Sequence, residues 1–105
     1  MSRRKPRSDS MYVIYAAVHE GNTYIGVTRR GSRAADRAVA VRWQKHISRA
    51  RCEAKDWLVY EYIRAGAWTE WEHCVIEQLR GRSAAYARER EIVKQLAPNL
   101  NTQYA

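Results

Sequence analysis

The 105-residue chain has no phenylalanine, only two cysteines and two prolines, and no long apolar run. Cys52 and Cys74 are too few for a disulfide framework, so a reducing compartment is expected. No window approaches the ~18 apolar residues of a membrane span, which argues against a helical membrane protein. The opening MSRRKPRSDS is basic, yet it lacks the apolar stretch and small-residue cleavage site of a signal peptide. A cytoplasmic location is therefore expected. The missing phenylalanine excludes nothing, because four Trp and seven Tyr are present and 46% of residues are apolar. One core can be buried, and a second has no room. There is no internal repeat and no low-complexity segment.

Acidic residues are the scarcer charge. Nineteen Lys and Arg stand against eleven Asp and Glu, giving a net charge of +8 and a pI near 9.9. Arg greatly outnumbers Lys, and its planar guanidinium suits bidentate contact with phosphate. Polyanion binding is the function class this balance favours. A solvated basic surface without chemistry is the plainer alternative. Residues 1–10, with Arg3, Arg4, Lys5 and Arg7 around Pro6, read as a disordered arm.

Residues 11–18, MYVIYAAV, form a strand apolar on both faces, which predicts a central position in a sheet. Glu20-Gly21-Asn22 supplies a turn, and TYIGV returns as the second strand. Alternation puts Val13, Tyr15 and Ala17 on one face, and Tyr24 with Gly26 on one face of the partner. Gly26 marks a close approach by ligand or backbone. An Arg-rich loop then leads into a helix over about 34–50, with Val39, Trp43 and Ile47 as its buried stripe. Arg42 and His46 lie together on a border of that stripe. Lys55-Asp56 opens a second helix through Arg64, buried by Leu58, Val59, Tyr62 and Ile63 and stopped by Gly66. WEHCVIEQL is a third strand, and Ser83 caps a last helix over 84–96. The predicted fold is a small α+β domain over 11–105: a three-stranded antiparallel sheet flanked by about three helices. His73 and Cys74 are adjacent strand residues on opposite faces, which argues against a shared zinc ion.

The last helix holds an anomaly. On a helical wheel, Ala85, Tyr86, Ile92, Val93 and Leu96 fall within about 60° of Glu89. Glu91 faces the other way. A carboxylate in the middle of an apolar face needs a cation, a metal or strong donors. A structural ion pair with one of the arginines is the alternative to a functional role.

Two strand tyrosines, an Arg-His pair on a first helix and a buried Glu on a last helix resemble the GIY-YIG endonuclease family. VIY (13–15) stands for the GIY element, YIG (24–26) matches outright, and RWQKH (42–46) resembles Arg-x-x-x-His. The stretch from Glu89 to Asn101 resembles the closing Glu helix and its Pro-x-Leu-Asn tail. The likeness spans about residues 11–101. Val13 replaces the motif glycine, leaving Tyr12 as a rival to Tyr15, and the loop before Arg42 is longer than is usual. A second histidine, found after the first helix in some phage members, has no counterpart.

The resemblance implies metal-dependent hydrolysis of DNA phosphodiesters. Glu89 would bind one Mg²⁺ or Mn²⁺, and Arg42 would hold the scissile phosphate. Tyr15, Tyr24 and His46 would arrange and deprotonate water, and Asn101 would steady the site. Tyr15 is the first choice as base if a nearby cation lowers its pKa, with His46 as rival. Arg29, Arg30, Arg33, Arg37, Lys45 and Arg49 are the candidate DNA contacts. The bland alternatives are a cross-strand aromatic pair for Tyr15 and Tyr24, surface positions for Arg42 and His46, and a turn role for Asn101. A stand-alone domain of this kind is typical of phage and mobile-element nucleases, homing endonucleases among them. One active site makes one cut, so a double-strand break would require two copies. A non-catalytic nucleic-acid-binding module, or a nuclease subunit, is the other expectation.

Overall fold

The central strand takes its place from its composition. Val13, Ile14, Tyr15 and Ala17 are all buried, and such a two-sided apolar strand is stable only between neighbours and between layers. The computed structural model describes residues 10–52, 57–67 and 69–101. Its elements are β1 (Met11–His19), β2 (Asn22–Arg29), α1 (Ala35–Cys52), α2 (Leu58–Arg64), β3 (Glu72–Arg80) and α3 (Arg82–Leu96). The strands form one antiparallel sheet in the order β2-β1-β3. This is the expected α+β architecture. Residues 1–9, and the expected helix start at Lys55-Asp56, lie outside the described residues. Ser10, assigned above to the arm, is tied to the sheet: its carbonyl accepts from the Gly81 N–H at 2.9 Å.

The alternation of β1 divides the core in two. Val13, Tyr15 and Ala17 face α1 and α2, packing with Val39, Trp43, Val59, Tyr60 and Ile63. Ile14 faces α3, packing with Ile25 and Ile92. In the β1–β2 register Tyr15 pairs with Gly26 and Ala17 with Tyr24, so those residues share the α1 face. Between β1 and β3 the register shifts at Ile14/Tyr15, leaving Ile76 as the extra residue of a bulge.

The helices depart from their expected faces in ways that packing explains. In α1 the buried set is Ala38, Val39, Trp43, His46 and Ala50, while Ile47 is half-buried. The stripe is turned toward His46, because α2 lays the Tyr60 ring edge-on against that imidazole at 5.7 Å. In α2, Tyr60 takes the buried place expected of Leu58, which is exposed. In α3 only Ala85, Glu89 and Ile92 are buried. Tyr86 reaches sideways to the edge of Tyr12, with ring centroids 6.3 Å apart, and Leu96 extends past the sheet into solvent. Ser83 does not cap α3, since Gly81 is the N-cap residue at φ 96° and Ser83 lies inside the helix. A positive φ is costly for residues with a Cβ, which favours glycine there.

Candidate functional site

The register of the hairpin creates the site. Tyr15 lies across the position where Gly26 has no side chain. A Cβ on residue 26 would sit 2.6 Å from Tyr15 Oη and 2.8 Å from a ring carbon of Tyr24. The close approach expected at Gly26 is therefore made by the two phenol side chains, not by ligand or backbone. Their ring centroids are 6.4 Å apart. Trp43 joins them from α1, 6.4 Å from Tyr15 and 5.8 Å from Tyr24. His46, one helical turn on, stacks on Trp43 at 5.2 Å and lies 5.5 Å from Tyr24. Tyr12 points to the α3 face against Tyr86, away from this group.

Polar atoms in this wall are left without partners. Tyr15 Oη, Arg42 Nε, Trp43 Nε1 and both ring nitrogens of His46 are buried without a well-formed hydrogen bond, although the Arg42 guanidinium lies close enough to Tyr15 Oη to act on it as a donor. Each such atom costs roughly 1–3 kcal/mol when buried unsatisfied, so a cluster of them is an expensive arrangement for packing alone. Burial raises the Tyr15 pKa well above that of an ordinary phenol; the Arg42 guanidinium opposes this and the Glu89 carboxylate adds to it. The lowering by a neighbouring cation that the resemblance requires is present, but burial outweighs it. His46 is pushed down to about 3 by burial, with repulsion from Arg42 and Arg49 added. Without ligand, the site therefore holds a protonated phenol and a neutral imidazole at neutral pH. One can donate a hydrogen bond and the other can accept one.

Glu89 approaches from α3, on the other side of the sheet. It is only 6% exposed, and no hydrogen bond or ion pair to it occurs among the described residues. The structural ion pair considered above is thus absent there. Burial raises the Glu89 pKa and Arg90 works against it. Its field reaches Tyr15, but it is not bonded to Arg42 or His46. Among the described residues no three His, Cys, Asp or Glu side chains gather as metal ligands. A cation at Glu89 would have that one carboxylate and otherwise water or substrate oxygens, a set that Mg²⁺ accepts.

Asn101 binds backbone rather than the cluster. Its Oδ1 accepts from the Ile25 N–H and its Nδ2 donates to the Ile25 carbonyl, both at 2.8 Å. Asn99 Oδ1 accepts from the Thr23 N–H at 2.8 Å, and the Leu100 N–H donates to the Thr23 carbonyl at 3.0 Å. The tail thus turns over the outer edge of β2, with the Asn101 N–H closing onto the Pro98 carbonyl at 3.4 Å, and fixes the strand that carries Tyr24 and Gly26. Asn99 was missed in the sequence, where its only signal is the turn chemistry of the Pro98-Asn99 step.

The basic residues divide. Arg29, Arg30, Arg33 and Lys45 join Arg42 around a cleft of about 340 Å³ between the end of β2 and α1. Arg37 and Arg49 are exposed on α1 and do not line it. Among the described residues no helix is long and apolar enough to cross a membrane. No family model, curated protein or solved structure matches the chain.

Proposed function

We propose that the protein is a metal-dependent endonuclease that hydrolyses DNA phosphodiester bonds, in the manner of the GIY-YIG enzymes it resembles. The observation that carries this reading is the convergence of unpartnered buried polar atoms from Tyr15, Arg42 and His46 on one wall. A phosphate and an attacking water would satisfy them together. Glu89, a buried carboxylate without a partner, supports the same reading.

Arg42 binds the scissile phosphate and offsets the charge that develops on its oxygens. Tyr15 Oη and the His46 nitrogens are sealed from solvent in the free protein, so substrate must open this wall before the protonated Tyr15 hydroxyl donates to the phosphate, reversing the role as base expected of it. The neutral His46 accepts a hydrogen bond from the attacking water and orients it in line with the departing 3′ oxygen. Phosphate beside Arg42 cancels part of the repulsion that holds His46 low, so substrate itself raises the basicity of the imidazole. Tyr24 packs against His46 and holds its ring plane. Glu89 would hold Mg²⁺ or Mn²⁺, which when bound supplies positive charge to the leaving oxygen. Asn101 acts through β2 by fixing its edge.

One observation favours a second reading, a phosphate-binding module without catalysis. Tyr15 and His46 are both shifted away from the pKa near 7 that suits a general base. Incubating supercoiled plasmid with Mg²⁺ or Mn²⁺ separates the two. The wild type should nick or linearise it, and Glu89→Gln should be slower by at least about 10²-fold. Plasmid left intact by both proteins under both metals would remove the nuclease reading.

A further inference from the structure

The cleft beside Arg42 is a site in its own right. Its rim is formed by Arg29, Arg30, Arg33 and Lys45, with Arg42 shared between it and the tyrosine wall. The loop carrying two of these arginines is held in place. The Arg30 N–H donates to the Met11 carbonyl at 2.8 Å, and the Arg33 N–H closes a turn onto the Arg30 carbonyl at 3.3 Å. Gly31, at φ 64°, allows that turn. Gln78 on β3 accepts from Arg30 Nη1 at 3.1 Å and aims the guanidinium. Yet Arg30 Nε is buried without a partner, as Arg42 Nε is. Two orphaned guanidinium nitrogens thus belong to residues lining one cationic cleft. An anion is the ligand chemistry that satisfies them, and a planar guanidinium fits phosphate.

We propose that this cleft is a second phosphate subsite, holding the backbone phosphate next to the scissile one on the cut strand. The inference rests on the reading that Arg42 holds a phosphodiester, and it adds a direction. Arg42 is shared by the two positions while Arg30 and Arg33 belong to the cleft alone, so the neighbouring phosphate is held on one side of the scissile one, and whether that is its 5′ or its 3′ side is what the probes distinguish. The minimal ligand is then a dinucleotide carrying an internal phosphate and one terminal phosphate.

The test is NMR titration of the full chain in EDTA, where no metal-dependent cleavage occurs. The probes are a dinucleoside monophosphate and the same dinucleotide phosphorylated at its 5′ end or at its 3′ end. One of the two terminal phosphates should tighten binding about tenfold or more and shift the Nε–Hε signals of Arg30 and Arg42. Arg30→Gln combined with Arg33→Gln should cut that gain to less than about twofold while leaving the monophosphate affinity near that of the wild type. If the Arg30 variant does not fold, Arg33→Gln with Lys45→Gln removes exposed cations and gives the same readout. No gain from either phosphate, equal gains at both ends, or a gain that survives both variants would overturn the subsite. Plasmid cleavage without the gain fails the subsite alone; the gain without plasmid cleavage fails only the hydrolytic reading.

Discussion

Tyr15 has none of its surface exposed, and its hydroxyl makes no well-formed hydrogen bond. For a residue chosen by packing, phenylalanine would serve better, since removing the hydroxyl also removes its desolvation cost. Tyr15→Phe should therefore leave stability unchanged or raise it by about 1 kcal/mol in urea unfolding, while plasmid cleavage falls by about 10²-fold or more. A loss of more than about 1 kcal/mol would mean that the hydroxyl is satisfied in the free protein. Cleavage equal to wild type would remove Tyr15 from the site. Part of this residue's setting was legible beforehand: alternation put it on the same face as Val13 and Ala17, whereas its pairing with Gly26 comes from the structure. The direction of its pKa was not legible. That depends on how deeply α1 and α2 seal the wall, and a linear pattern carries no depth. His46 was misplaced for the same reason, because the helical wheel of α1 does not contain Tyr60 of α2.

Among the elements, β1 was the easiest to place, since an uninterrupted apolar strand has only the middle of a sheet to occupy. The α3 face was legible only where the sheet reaches it. Glu89 and Ile92 are buried as the wheel requires, but Tyr86 and Leu96 overhang, and periodicity says nothing about where a sheet ends. The edge of β2 was the least legible, because its partner is a tail outside any regular element. Edge strands expose unpaired N–H and C=O groups, and here Asn99 and Asn101 cover them with amides. Asn101→Ala should uncover the Ile25 amide and speed its hydrogen exchange at least about tenfold, with a cost of about 1–3 kcal/mol. Asn101→Asp keeps the acceptor for the Ile25 N–H and loses the donor, so its Ile25 exchange should fall between alanine and wild type. Exchange at Ile25 unchanged by alanine would mean that the tail contributes nothing to holding β2.

For the whole molecule, the buried site groups tie function to acid stability with opposite signs. The His46 pKa is lowered from 6.5 to about 3 on folding. Below pH 6.5 the unfolded chain takes up a proton that the folded chain refuses, so stability falls from pH 6.5 down to about 3. The Glu89 pKa is raised on folding, so its contribution is greatest in acid and is lost as pH rises above that of a free carboxyl. Other ion pairs contribute to stability as well, among them those of Arg88 with Glu77 and Glu91. Comparing variants with wild type cancels those shared contributions. The stability of His46→Leu relative to wild type should increase by about 2–3 kcal/mol between pH 7 and pH 4.5, because a leucine has no proton to refuse. Glu89→Gln should show the reverse, stabilising the protein at pH 7 and having little effect near pH 4. Chemical denaturation across that range measures both differences. A His46→Leu difference that stays constant with pH would mean that the imidazole titrates normally, and the neutral acceptor assigned to the site would be lost with it. If the difference does widen, free wild-type protein should show no acid limb near pH 6.5 in kcat/KM for DNA, since His46 is already deprotonated there.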